Sequence, residues 1–210
     1  MNQILIFDLD DTLFETKSIG KKSVKPIFDK FEALLIERYG TEMTEKIIPE
    51  LWKFPFDFVG QKYKFDNKLN SEFASLVNNF KYQLSIKTFE DFEVVNNLQQ
   101  EKILVTTGFF KLQSAKIRDL GIAKEFGEIY IDNILDPKRI HKKGIFKNIM
   151  LEKNIDPNLI YIIGDNPDSE LKAGFELGAT TIQVAKFGQK KSQYAKHWIT
   201  DFSELITILK

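Results

Sequence analysis

Hydrophobic residues follow two different rhythms along this chain. Short apolar runs separated by amphipathic stretches occupy the first residues and everything from Thr88 onward, whereas residues 15–87 show helical periodicity throughout. A short apolar run rich in β-branched residues is typical of a strand covered on both faces, and apolar positions three and four residues apart are typical of one helix face. The pattern therefore predicts alternating strands and helices, interrupted after the first strand by an all-helical segment.

The predicted strands are short and bounded by polar or turn-forming residues. They are Ile4–Phe7, Ile103–Thr106, Glu128–Ile131, Leu159–Gly164, Thr180–Val184 and a short one at Trp198–Thr200. The predicted helices between and after them are Phe89–Gln100, Phe110–Leu120, Lys142–Lys153, Asp168–Leu177 and Ser203–Leu209. Buried strands that alternate with amphipathic helices favour a parallel sheet with helices on both faces. The predicted fold class is therefore α/β, with a Rossmann-like core.

Three apolar stripes at helical spacing follow the first strand. They comprise Val24, Ile27, Phe28, Phe31, Leu34 and Leu35; then Met43, Ile47 and Leu51; then Phe73, Leu76, Val77, Phe80 and Leu84. The aromatic stretch Phe54–Phe65 lies between the last two stripes, and we interpret its rings as core, while Lys62 and Lys64 offer an alternative contact for an anionic substrate. We predict a core domain of residues 1–14 and 88–210 with an inserted helical cap of residues 15–87.

Composition narrows the class of protein. The chain has 210 residues, of which 43% are hydrophobic, and its 30 acidic and 30 basic side chains cancel, so no global field recruits nucleic acid or an anionic membrane. It has no cysteine, which excludes disulfides, zinc–thiolate sites and thiol nucleophiles. The first strand begins almost at Met1 and no apolar run is long enough to span a membrane. We expect a cytoplasmic protein, and nothing demands more than a monomer.

The first strand ends on an unusual group of acids, in the sequence DLDDT. Asp8 stands at the carboxyl end of the strand and Asp10 just beyond it. Two carboxylates that converge at a strand end are costly unless a cation lies between them, and Mg²⁺ prefers such hard oxygen ligands. The alternative is a pair of solvated aspartates in a turn. Under the first interpretation, the strand end predicts a magnesium site.

The other predicted strands bring complementary chemistry to the same edge of the sheet, where ligands bind in open α/β folds. The segment VTTG ends the second strand, GDNPDSE follows the fourth, and two lysines precede the helix that contains Phe146. Carboxylates, a hydroxyl and a lysine around one point suit a phosphoryl group, because metal and lysine offset its charge and the hydroxyl binds its oxygens.

In this order, DLDDT, VTTG, a lysine ahead of a helix and GDNPDSE resemble the four motifs of the haloacid dehalogenase-like hydrolase superfamily. The resemblance spans the core from Asp8 to about Gly178, and the segment GDNPDSELKAGFELGATTIQV is similar to the usual fourth-motif helix and the strand after it. The helical insert lies where a C1-type cap is inserted in this superfamily. The resemblance therefore implies a hydrolase with a Rossmann-like core and a helical cap.

The resemblance also implies roles for the acids. Asp8 would be the nucleophile that forms an aspartyl-phosphate. Asp10 would be the general acid that protonates the leaving oxygen and then the base that activates water. Asp8, the backbone carbonyl of Asp10, and Asp165 would hold Mg²⁺. Dehalogenases usually lack an acid at the position of Asp10, because a halide needs no proton, so this residue favours phosphate chemistry.

Phosphate binding is implied for the second and third motifs. Thr106 would hydrogen-bond a phosphate oxygen, with Thr107 as its alternative and Gly108 beside it. Lys142 or Lys143 would offset charge on the nucleophile and the phosphate. We favour Thr106 because it ends the apolar run as the family motif does, and Lys142 because it precedes Phe146 by one helical turn.

The second acid of the fourth motif has two candidates. Glu170 lies five residues after Asp165 and Asp168 lies three after it. The resemblance favours Glu170 as the residue that supports the metal from outside its ligand shell, because the GDxxxSE variant of the family motif places an acid there. Asp168 then suits the N-cap of the helix that begins nearby. His141 and His197 are isolated and are interpreted as ordinary surface residues.

Three functions are consistent with these residues. The first is a Mg²⁺-dependent phosphatase acting on a small phosphorylated metabolite. The second is a phosphotransferase of the sugar phosphomutase kind, which uses the same aspartyl-phosphate. The third is a non-catalytic receiver-like switch, for which Asp57 would be the nearest phosphorylated residue, although its surroundings lack strand character.

Overall fold

The computed structural model of the chain describes residues 3–51, 54 and 56–209. Its strands are β1 (Ile4–Phe7), β2 (Glu101–Gly108), β3 (Glu128–Asn133), β4 (Ile160–Gly164), β5 (Thr180–Val184) and β6 (His197–Ile199). They form one sheet in the order β3-β2-β1-β4-β5-β6, and every neighbouring pair is parallel. The predicted α/β class is confirmed.

The helices are α1 (Gly20–Leu51), α2 (Phe56–Lys62), α3 (Asn67–Asn79), α4 (Phe92–Asn97), α5 (Phe110–Leu120), α6 (His141–Glu152), α7 (Lys172–Glu176) and α8 (Leu205–Ile208). A turn of π-helix at Pro167–Leu171 leads directly into α7. Helix α4 is shorter than predicted: it begins at Phe92, and the chain becomes extended at Leu98. Within the described residues, no helix is both long and apolar enough to cross a membrane.

Both faces of the sheet are buried because successive side chains of a strand point to opposite sides. On one face, Leu5 and Phe7 join a core formed with α4, α5 and α8. On the other face, Ile4 and Ile6 pack with α6 and α7. Gly174 of α7 lies so close to the sheet that an added Cβ would meet Ile162 Cδ1 at 2.7 Å. The apolar runs in the sequence thus reflect burial on two sides.

Helices α1 to α3 enclose a second apolar cluster, whose buried members lie within residues 15–87 except for Ala115 of α5. Its centre is aromatic and aliphatic, with Phe31, Leu35, Ile47, Leu69 and Phe73 all less than 5% exposed. Helix α1 is interrupted at Gly40, where φ is 74° and ψ is 168°. Two details of the predicted stripes are wrong: Met43 is exposed, and the third stripe runs past α3, which ends at Asn79.

Several contacts join this helical cluster to the sheet domain. Phe56 of α2 packs against Phe109 with ring centroids 5.5 Å apart. In the segment that connects α3 to α4, the Leu84 amide donates to Asp119 Oδ2 across 2.7 Å, and Arg118 donates to the Tyr82 carbonyl across 2.7 Å. Arg118 and Asp119 belong to α5, so this helix holds the backbone of the segment that connects α3 to α4.

The strand order also locates the site. From β1 the chain builds outward through β2 and β3, then crosses to the other side of β1 and continues through β4, β5 and β6. The crevice at such a reversal, outside the carboxyl ends of the strands, is where open α/β sheets bind ligands. In this chain the reversal places the ends of β1, β2 and β4 side by side.

Candidate active site

Three acids meet at the carboxyl ends of β1 and β4. Asp8 follows β1, Asp165 follows β4, and Glu170 lies in the π-helical turn. One carboxylate oxygen from each residue lies within 4.8 Å of the others. Asp8 and Glu170 are buried, and Asp165 is half-buried. The structure thus brings together three of the acids singled out in the sequence.

Lys142 lies among these acids. Its Nζ donates to Asp8 Oδ1 across 2.6 Å and to Glu170 Oε2 across 2.7 Å, and all three side chains are at most 7% exposed. Lys143 points elsewhere and pairs with Glu176 on the exposed surface. Consecutive residues of a helix point about 100° apart, which explains why only one of the two lysines faces the acids. The structure therefore separates Lys143 from the phosphate-binding set.

Glu170 reaches the site across a glycine. Its Oε1 accepts from the Asn166 amide at 2.7 Å, and an added Cβ on Gly164 would lie 2.4 Å from Glu170 Cγ. Both carboxylate oxygens of Glu170 are therefore occupied, one by Lys142 and one by the backbone. Asp168 is exposed, and the predicted N-cap role for it is wrong: the Asn166 side chain accepts from the Asp168 amide. Asn is as good a cap as Asp, and here it comes two residues earlier.

The acids outnumber the cation that faces them. Burial raises the pKa of Asp8 to about 7 against the opposing attraction of Lys142. Burial, followed by repulsion from Glu170 and Asp8, raises the pKa of Asp165 to about 8. Among the described residues, none donates a hydrogen bond to the Asp165 carboxylate. Clustered hard oxygens with an unbalanced negative charge are what Mg²⁺ prefers, so the residues present fit this ion.

Asp10 has a different environment, built by residues that the sequence had not indicated. Lys116 Nζ donates to Asp10 Oδ1 across 2.6 Å, Gln113 Nε2 donates to Oδ2 across 2.8 Å, and the Thr16 hydroxyl donates to Oδ1 across 3.1 Å. Burial would raise the pKa of Asp10, but Lys116 and these donors outweigh it and lower that pKa. Gln113 and Lys116 share a face of α5 at a spacing of three residues, and this polar pair was the available signal.

The two threonines of VTTG point to different partners. Thr106 is fully buried and its Oγ1 accepts from Gln113 Nε2, which also holds Asp10. Thr107 instead donates to Asp132 Oδ2 across 3.1 Å. Gly108 leaves room for the amide, because a Cβ there would lie 2.9 Å from Gln113 Cδ. The structure therefore places Thr106 beside Asp10 and turns the Thr107 hydroxyl toward β3.

The remaining candidates lie apart from the acids. His141 is exposed, and His197 is half-buried in the edge strand β6. Lys62 pairs with Glu50 across 2.6 Å. Asp57 lies in helix α2, where it pairs with Arg139 across 2.8 Å, and not at a strand end as a receiver-like switch requires.

Comparison with known proteins places this geometry in a family. The model of the haloacid dehalogenase-like hydrolases matches residues 5–184. The chain belongs to this family. The match includes Asp8, Asp10, Thr106, Lys142 and Asp165, so the clustered residues of this haloacid dehalogenase-like hydrolase all lie within the matched segment.

Similar proteins include both phosphatases and dehalogenases. The glyceraldehyde 3-phosphate phosphatase of Pyrococcus furiosus is 22% identical over 99% of this chain and 93% of its own length. A HAD phosphatase from Thermococcus onnurineus superposes with a TM-score of 0.66 at 17% identity, covering 99% of this chain and 97% of the other. The HAD-hydrolase YfnB from Bacillus subtilis, solved bound to magnesium, gives 0.62 at 20% identity, covering 100% and 99%. Haloacid dehalogenases also share the fold.

Proposed function

We propose that this hydrolase is a Mg²⁺-dependent phosphatase that cleaves a small phosphorylated metabolite through an aspartyl-phosphate on Asp8. The observation that carries the proposal is the second carboxylate, Asp10, held beside the Asp8–Lys142 pair and linked through Gln113 to Thr106. An acid at this position serves a leaving group that must gain a proton, as an alkoxide does and a halide does not. Asp10 therefore favours phosphate esters over haloacids as substrates.

In the first step, a carboxylate oxygen of Asp8 attacks phosphorus and the bond to the ester oxygen breaks. Lys142 offsets charge on Asp8, and the Thr106 hydroxyl donates to a phosphate oxygen. Asp10 reacts in its protonated form, which its lowered pKa makes the minor form and the stronger acid, and gives its proton to the departing oxygen, which leaves as an alcohol. The products of this step are the free alcohol and phosphorylated Asp8.

In the second step, the Asp10 carboxylate takes a proton from water while the water oxygen attacks phosphorus. The bond from phosphorus to Asp8 breaks, inorganic phosphate leaves, and Asp10 is protonated again. Asp8, Asp165 and the Asp10 carbonyl would hold Mg²⁺, which supplies charge stabilisation for the phosphoryl group when bound. Glu170 supports this set through Lys142, since both of its oxygens are already occupied.

The test is phosphate release from a panel of phosphorylated metabolites and from p-nitrophenyl phosphate, with Mg²⁺ and with EDTA. We expect release that requires Mg²⁺ and disappears in Asp8→Asn. A hexose phosphate in the panel, analysed for isomerised product, distinguishes hydrolysis from phosphoryl transfer to a sugar. Substantial release by a folded Asp8→Asn variant would exclude the nucleophile proposed here. A 2-chloro acid in the panel tests for dehalogenation.

A further inference from the structure

Both oxygens of the Asp10 carboxylate are held by one helix. Lys116 binds Oδ1 and Gln113 binds Oδ2, at 2.6 and 2.8 Å, from positions one turn apart on α5. Both side chains are buried, with Gln113 1% and Lys116 5% exposed. A carboxylate held at both oxygens has little freedom to rotate about its terminal bond, so α5, together with the Thr16 hydroxyl on Oδ1, sets its direction.

Gln113 also orders the phosphate-binding hydroxyl. Its Nε2 donates to Thr106 Oγ1 as well as to Asp10 Oδ2. Because the Thr106 oxygen accepts this bond, its hydrogen is available to donate to another acceptor. One amide therefore ties the direction of Asp10 to that of Thr106. The absence of a side chain at Gly108 gives the amide this position.

Lys116 is an expensive residue for a purely structural contact. Its ammonium is buried, lies 5.9 Å from the centre of the Phe14 ring, and has Asp10 as its ion-pair partner among the described residues. Burying a lysine for one ion pair rarely stabilises a fold more than an apolar residue of the same size does. The partner of Lys116 is an acid of the site that solvent can reach, since the Asp10 side chain keeps 28% of its surface exposed.

We propose that Lys116 and Gln113 are positioning residues for Asp10, which hold its carboxylate in the direction needed for proton transfer. The inference rests on the phosphatase reaction proposed above, and it adds two residues outside the four motifs. Reaction steps in which Asp10 transfers a proton therefore depend on Lys116 and Gln113. Attack by Asp8 on an ester with a good leaving group needs no proton from Asp10, so it depends on them much less.

The test compares two leaving groups in rapid-mixing experiments with the Mg²⁺-loaded enzyme. p-Nitrophenolate departs without a proton, whereas the alkoxide of an alkyl phosphate needs one. In Lys116→Met we expect steady-state turnover of the alkyl phosphate to fall about 10²-fold. With p-nitrophenyl phosphate we expect a burst of about one nitrophenolate per enzyme at close to the wild-type rate, because only hydrolysis of phosphorylated Asp8 is slowed.

Three variants complete the design. Gln113→Leu removes the amide without changing the charge of the site. Because Thr106 loses its donor as well, we expect the nitrophenolate burst to slow less than the alkyl phosphate turnover. Lys116→Arg retains a cation and should restore at least part of the alkyl phosphate turnover. Lys124→Met, whose wild-type side chain is 83% exposed, is the control and should behave as the wild type. Circular dichroism and thermal unfolding verify the fold of each variant, and Gln113→Leu decides the matter if Lys116→Met fails to fold.

A purely structural role gives a different result. In that case both leaving groups would be affected equally and the nitrophenolate burst would be slowed from the first turnover, which overturns the inference. Unchanged turnover in Gln113→Leu and Lys116→Met also overturns it. These outcomes leave the proposed function intact, because wild-type release and its loss in Asp8→Asn would still stand. No wild-type release with any substrate would instead overturn the proposed function, and this inference with it.

Discussion

Lys142 Nζ lies 2.6 Å from Asp8 Oδ1, and this contact joins the start of α6 to the end of β1. The same ammonium binds Glu170, so one buried cation holds two buried acids while Asp165 stands beside them with a raised pKa. The negative charges of these three acids are balanced only when a further cation is present beside Lys142. This imbalance of charge determines how the protein responds to the loss of Lys142 and to a change of pH.

Replacing Lys142 by Met leaves Asp8 and Glu170 buried without their shared cation. We expect phosphate release to fall by about 10²-fold or more, because charge on the nucleophile and the phosphate is no longer offset. We also expect lower stability in EDTA, by about 3 kcal/mol, since one partner of a buried ion pair is lost. Urea unfolding and turnover measure the two effects. Lys143→Met is the matched control and should change neither, because Lys143 lies on the exposed surface.

The raised pKa values of Asp8 and Asp165 predict how stability changes with pH. Both rise from an ordinary value of 3.8, to about 7 and about 8, so the folded protein holds protons that the unfolded chain has released. Stability contributed by such groups is fully present below the ordinary value and is lost as pH rises through the folded values. In EDTA we therefore expect these two groups to lower Tm as pH rises from about 4 to 8, with no further loss at higher pH.

Mg²⁺ should counter this loss, because it binds the deprotonated acids. The increase in Tm on adding Mg²⁺ should be larger at pH 8 than at pH 6, as measured by differential scanning fluorimetry. Asp165→Asn removes one of the titrating groups and should flatten the profile in EDTA. A Tm in EDTA that is equally independent of pH in the wild type and in Asp165→Asn would contradict the assignment.

Gly164 is required by the position of Glu170. An added Cβ would lie 2.4 Å from Glu170 Cγ and 2.5 Å from Oε1, so the carboxylate must move away from Lys142. For Gly164→Ala we expect a loss of about 1–3 kcal/mol in the free energy of unfolding, together with reduced turnover. Gly127→Ala is the control: the nearest atom to its Cβ is the Lys102 carbonyl at 3.8 Å. Urea denaturation should place that variant within about 0.5 kcal/mol of the wild type.

Arg139 links the helical segment to the sheet through two ion pairs of unequal value. It binds Asp57 of α2, whose side chain is 44% exposed, and Asp132 of β3, whose side chain is 3% exposed. Asp57→Asn removes a solvated pair, so we expect a loss of about 0.2–1 kcal/mol. Arg139→Met leaves Asp132 buried without its cation, and we expect about 3–5 kcal/mol. Equal losses for the two variants in urea unfolding would show that the Asp132 pair is not the stronger one.

Local pattern was sufficient for the strands and for most helices. Runs such as Ile4–Phe7 and Thr180–Val184 coincide with β1 and β5, because burial on both faces leaves a continuous apolar signal. Helix ends were less predictable, since they depend on contacts with distant residues. The Phe89 amide, for example, donates to the distant Leu13 carbonyl, and α4 begins only at Phe92.

The residues of the site also fall into two groups, those that the sequence indicated and those that it did not. Asp8, Asp10 and Asp165 could be singled out from the sequence because each follows an apolar run at the same edge of the sheet. Lys116 was missed, because it lies 106 residues from Asp10 and its helix also carries Lys111 and Arg118, so that only its spacing from Gln113 distinguishes it. Arg139 was missed for a related reason: it lies in a loop, where no periodicity shows which way a side chain points.

The sequence by itself determined the parallel α/β class, the place of the helical insert and the acids at the strand ends, because these follow from hydrophobic periodicity and from where each run stops. Only the tertiary structure decided which of Lys142 and Lys143 faces the acids, and that α5 turns Gln113 and Lys116 onto Asp10. Those choices depend on the rotation of each helix against the sheet. Packing of the whole core sets that rotation, and no local segment encodes it.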